Sequence, residues 1–72
     1  MDFGARLKAA RRQKGISQTQ AADALRTDQR QISKYESGKQ EPTATRLREL
    51  CELYEISADW LLGLEKREKS PL

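Results

Sequence analysis

The stretch that most limits what this chain can fold into is residues 17–38, SQTQAADALRTDQRQISKYESG. It reads as two short helices with almost no chain between them. Ser17 can cap the first, and Gln20, three residues on, completes the S-x-x-Q form of a capping box. Ala21, Ala22 and Leu25 make the inner face of that helix, and two adjacent alanines leave so little bulk that another helix can approach closely and cross steeply. Asp28 then caps the next helix, after a link too short for parallel packing.

The second helix, expected over about residues 28–36, divides its residues by side. At about 100° per residue from residue 29, Gln29, Arg30, Ser33 and Lys34 fall within about 140° of arc, while Ile32 and Tyr35 centre nearly opposite. One side is anchored in a core. The other offers amides, a guanidinium, a hydroxyl and an ammonium, the groups that match base edges and phosphates in a DNA major groove.

These residues carry a resemblance. Gln18 opens the first helix, Ala22 is small in its middle, Leu25, Ile32 and Tyr35 are apolar anchors, and Tyr35-Glu36-Ser37-Gly38-Lys39 is followed by Glu41-Pro42. With Arg11 upstream, KGISQ before the motif and ISADWLLG near the end, the chain resembles the phage repressor and Cro type of helix-turn-helix proteins, the Xre family, over roughly residues 3 to 64. It departs in three places: Arg26 stands at a turn position where the family usually has Gly, and Thr27 and Ala21 stand where larger aliphatic residues are usual. A non-Gly residue in the left-handed backbone expected at position 26 costs roughly 1 kcal/mol.

The resemblance implies an all-α domain, a five-helix repressor-like bundle over residues 1–64, that acts as a sequence-specific transcriptional regulator, a repressor, on double-stranded DNA. The second motif helix would lie in the major groove with its N-terminal end nearest the bases. Gln29 would contact bases, with Gln18 either bracing it or holding a phosphate; Arg30 and Lys34 would each donate to a guanine or take a phosphate, with Ser33 a secondary base contact and Gln31 at the edge of the arc. Thr27, Ser37, Lys39 and the backbone amides of the loop after the motif would meet the DNA backbone, which positions without specifying. Arg11, by spacing alone a solvated arginine, would by resemblance pair with Glu36 and sit near a phosphate. A module this small makes few contacts, so a homodimer on a palindromic operator is expected, with half-sites about 10 base pairs apart.

The rest of the chain reads consistently. Asp2 can cap a first helix with Phe3, Leu7 and Ala10 inward and Arg6, Lys8, Arg12 and Lys14 on its polar side, ended by Gly15. Thr43 or Thr45 starts a fourth helix with Leu47, Leu50, Cys51 and Tyr54 as its stripe; Glu55 stands where the family often has Gly. Ser57 caps a short fifth helix in which Trp60 is a core plug, and Leu53, Leu61, Leu62 and Leu64 remain for a dimer contact. Residues 65–72 read as a charged, frayed tail.

Charge supports the same half. Residues 1–40 hold 9 Lys/Arg against 4 Asp/Glu, whereas residues 41–72 hold 5 against 7, so the basic half carries the motif. Catalysis finds little support: there is no histidine, no Gly-rich phosphate loop and no metal-ligand cluster, and Cys51 is alone on an apolar stripe. No cofactor is expected. The N-terminus lacks the apolar run of a signal peptide and nothing approaches a membrane span, which points to the cytoplasm. Two rival readings remain from other classes. The fold can serve a protein partner, as an antitoxin or coactivator does, or the chain can be the DNA-binding fragment of a longer ligand-sensing regulator.

Overall fold

The computed structural model describes residues 2–64, which form five helices in chain order: α1 Phe3–Lys14, α2 Gln18–Ala24, α3 Gln29–Ser37, α4 Ala44–Tyr54 and α5 Ala58–Leu62. The tail expected over residues 65–72 lies outside the described residues. Every helix begins on a side-chain oxygen that accepts from an amide in the first turn. Asp2 accepts from the Ala5 amide at 2.7 Å, Ser17 from Gln20 at 3.0 Å, Asp28 from Gln31 at 2.9 Å, Thr43 from Arg46 at 3.1 Å and Ser57 from Trp60 at 3.0 Å. Thr43, not Thr45, therefore starts α4. Gln20 also returns its side chain to the Ser17 amide, completing the capping box. Since Asp28 is a cap, α3 is shifted one residue from the expected span and closes on Gly38.

Arg26 and Glu55 occupy the left-handed region at φ 58° and 57°, the only positive φ values outside glycine among the described residues. Both follow a helix that must turn at once. At α2 the Thr27 amide reaches back to the Ala22 carbonyl at 2.9 Å, which fixes the short link to α3. The chain thus accepts at Arg26 the backbone strain of order 1 kcal/mol that glycine would avoid.

Leu7 and Ala10 of α1, Ala21 and Ala22 of α2, Ile32 and Tyr35 of α3, Leu50 and Tyr54 of α4 and Leu61 of α5 make one core. α1 is its spine, packing on α3, α4 and α5. Where α1 meets the end of α3 the two backbones nearly touch: a Cβ on Gly4 would stand 2.3 Å from the Glu36 carbonyl oxygen.

Three expectations change. Leu61 is 1% exposed and belongs to the core, so it is not available for a dimer contact; Leu62 at 47% and Leu64 remain exposed. Leu53 is half-buried against the core. Trp60 is half-buried, and Arg6, expected on the wet side of α1, lies over its ring at 5.1 Å from the centroid and donates to its carbonyl. A cation over an indole covers what the small core cannot enclose. Among the described residues no helix is long and apolar enough to cross a membrane.

Candidate nucleic-acid interface

Helix α3 is held by Ile32 and Tyr35, both buried, and this leaves Gln29, Arg30 and Lys34 exposed and Ser33 half-buried on the other side. The expected polar arc is therefore a surface. Behind it runs a chain of hydrogen bonds through three helices. The Arg11 guanidinium donates from Nε to Glu36 Oε2 at 2.6 Å and from Nη2 to Oε1 at 3.2 Å, and from Nη1 to the Ile16 carbonyl at 2.8 Å. Gln18 Nε2 donates to Glu36 Oε1 at 3.0 Å, and Gln29 Nε2 donates to Gln18 Oε1.

The direction of this chain is fixed by chemistry. Glu36 can only accept, so Gln18 must turn its NH2 inward and its oxygen outward, and Gln29 must give that oxygen one N–H. Gln29 is left with one N–H and its carbonyl free. That is the pair a glutamine needs to donate to N7 and accept from the amino group of an adenine.

The anchor of the chain is itself buried, with the Arg11 and Glu36 side chains 9% and 5% exposed. The hydrogen bonds that Arg11 donates to Glu36 raise the Arg11 pKa above its ordinary value against the cost of burial, with Glu36 charge and Tyr54 adding to the rise. Tyr54 faces the same pair. Burial first, then the Glu36 charge, pushes its phenol up to about 12, with the nearby Arg11 pulling the other way. Arg11 thus spends its donors on Glu36 and Ile16 in the free protein, and Gln18 takes the bracing position of its two expected roles.

The remaining candidates lie around this centre. Thr27 precedes the Asp28 cap, half-buried, and Ser37 and Lys39 are exposed at the other end of α3. The loop amides do not behave as expected. Those of Gly38, Lys39 and Gln40 turn back onto the Tyr35 and Lys34 carbonyls at 3.0 to 3.3 Å, because the left-handed Gly38 folds the chain over the helix end. Side chains, and not these amides, are left for a partner.

Two residues near the site were not singled out in the sequence. Gly4 lets α1 reach the Glu36 backbone, and Lys8 joins Gln18, Ser33, Glu36 and Ser37 around a cleft of about 140 Å³. A glycine inside an amphipathic helix was the available signal for the first; Lys8 had none beyond its stripe with Gly4 and Arg11. Gln31, at the edge of the arc, has its side-chain nitrogen buried without a hydrogen-bond partner. Cys51 is half-buried and burial raises its pKa, which keeps the thiol protonated and unreactive at neutral pH. Among the described residues no group of His, Cys, Asp or Glu could hold a metal ion. Phe3, Glu41, Pro42, Leu47 and Leu62 line a shallow groove of about 290 Å³ that includes none of the polar-arc residues of α3.

The profile of a helix-turn-helix family matches residues 7–61. The chain is 38% identical over 69 residues to the HTH-type transcriptional regulator ImmR of Bacillus subtilis (strain 168), covering 96% of this chain and 54% of that protein. It is 43% identical over 60 residues to the SPbeta prophage-derived HTH-type regulator YonR of the same organism, covering 83% and 56%. The chain spans about half the length of the curated relatives it matches. Among solved structures it superposes on the P22 c2 repressor, crystallised with a synthetic operator, with a TM-score of 0.83 and 26% identity over 90% of this chain and 98% of that one.

Proposed function

The chain belongs to the helix-turn-helix family of phage repressor and Cro type, and from that membership we propose that it reads specific sequences in double-stranded DNA and regulates transcription as a repressor. The observation that carries the reading is the braced Gln29: an exposed amide, its free donor and acceptor selected by Glu36 through Gln18, on a helix whose opposite face is locked in the core. Preorganised polar groups of this kind discriminate between bases because a wrong edge leaves them unpaired.

In this reading Gln29, Arg30, Ser33 and Lys34 face base edges. Thr27, Ser37 and Lys39 lie toward the flanking phosphates, Gln18 braces Gln29, and Arg11 acts first through Glu36. A relative bound to an operator is consistent with this docking. Two copies on a palindromic site supply the specificity one copy lacks. The apolar groove of Phe3, Pro42, Leu47 and exposed Leu62 suits that contact, and exposed Leu64 follows two residues on. In this reading the protein acts in the cytoplasm, where the DNA it binds lies.

The relatives' greater length favours a second reading beside the first, in which this domain is the DNA-binding part of a larger regulator. The test is selection of bound sequences from a random duplex library. Enrichment of a palindrome with half-sites about 10 base pairs apart is expected. An unenriched pool would contradict sequence reading and direct attention to a protein partner.

A further inference from the structure

Lys8 has no place in the roles given above, yet its position is tightly fixed. Gly4, Lys8 and Arg11 fall on one stripe of α1, since steps of four and three residues return to one face of a helix. The two ends of that stripe are pinned to one residue of α3. Gly4 packs on the Glu36 backbone, and Arg11 holds the Glu36 carboxylate. Lys8 lies between them, at the crossing, with Ser33 and Ser37 of α3 and Gln18 of α2 around the same cleft.

The ammonium is not used inside the molecule. Lys8 is exposed and, among the described residues, has no carboxylate within ion-pair distance. Glu36 lines the cleft, but its oxygens are occupied by Arg11 and Gln18. A free cation therefore stands at the flank of the recognition helix. A helix of about 10–12 Å diameter fills a groove about 12 Å wide, so groups at its flank meet the bordering sugar-phosphate chain and not the bases.

We propose that Lys8 grips a phosphate of the DNA strand bordering the groove that α3 enters, beside Ser37 and at the outer edge of Ser33. The inference rests on the DNA-binding reading. Because Gly4 and Arg11 both pin α1 to Glu36 of α3, this contact sets how deeply the recognition helix sits as well as adding affinity. It carries no base preference of its own.

The test compares wild type, Lys8→Gln, Lys8→Arg and Arg48→Gln on the selected duplex and on a random one, across salt. Arg48 is the control for loss of one charge, because it sits on α4 beside Glu52 and away from the cleft. Lys8→Gln is expected to weaken both duplexes alike and to make the salt slope shallower by about 0.9 per protomer, so that the loss of affinity between about 50 and 200 mM salt shrinks roughly 3.5-fold for each protomer. Lys8→Arg is expected to restore most of the slope. Parallel slopes for Lys8→Gln and Arg48→Gln would overturn the proposal, as would a loss confined to the selected duplex, which marks a base contact. A lowered melting temperature with an unchanged slope would also overturn it, by assigning Lys8 to packing. Wild-type protein that binds no duplex would remove the DNA-binding reading itself, before any variant is compared.

Discussion

Glu36 offers acceptors and no donor, and that single property orders the face of α3. It takes the Arg11 guanidinium from one side and the Gln18 amide from the other, and so determines which atoms Gln29 presents. Gln29→Ala is expected to cost about 1 to 3 kcal/mol on the selected site and to relax one base position, with random DNA bound as before. Titration of both duplexes checks it, and equal losses would remove Gln29 from the base-reading set. Glu36→Gln leaves the Arg11 charge buried without its counterion, which costs about 3–5 kcal/mol. Urea unfolding should show most of a small domain's stability gone. Spacing put Gln29 on the polar arc, but Gln18 as its brace and the Arg11–Glu36 pair were legible only through the family resemblance, since spacing alone left Arg11 a solvated arginine. The direction of the network was legible from neither, because Arg11 and Glu36 lie 25 positions apart and only tertiary packing closes them into one buried pair.

Between elements, two places hold the motif in shape. At the α1–α3 crossing, Gly4→Ala introduces a methyl 2.3 Å from the Glu36 carbonyl oxygen. Alanine would ordinarily favour a helix by up to about 1 kcal/mol over glycine. Here the variant is expected to unfold at lower urea, because backbone and not a flexible side chain must move. At the α2–α3 link the sign reverses: Arg26→Gly at φ 58° removes strain and should raise stability by up to about 1 kcal/mol. That is roughly 4–8 °C in melting temperature for a domain of this size. A lower melting point would show that Arg26 makes a compensating contact. The caps and the unusual Arg26 were readable because capping chemistry is local. Leu61, Trp60 and Arg6 were not, since helical periodicity gives a face but not which neighbour covers it. α5 has only five residues, so one turn serves both core and surface.

For the whole molecule, burial of the Tyr54 phenol, helped by the Glu36 charge and opposed by Arg11, couples fold to pH. The phenol rises from the usual 10 to about 12 in the fold, so above pH 10 the unfolded chain loses its proton first. Stability is therefore full below pH 10 and falls as pH climbs toward 12, by about 1.4 kcal/mol per pH unit from this group. Tyr54→Phe should remove that part of the slope in alkaline unfolding; an unchanged slope would place its origin in other groups. Residues 1–40, which hold α1 to α3, carry the excess of positive charge, and exposed Leu62 and Leu64 stand at and just beyond the end of α5, where the contact between two copies is proposed. The most direct measurement is titration of the selected duplex against a random one at two salt concentrations. A preference of about 100-fold or more, with a salt slope of roughly −5 to −7 for a dimer neutralising about 6 to 8 phosphates, is expected. Equal affinity for both duplexes would contradict sequence reading by the braced α3 face.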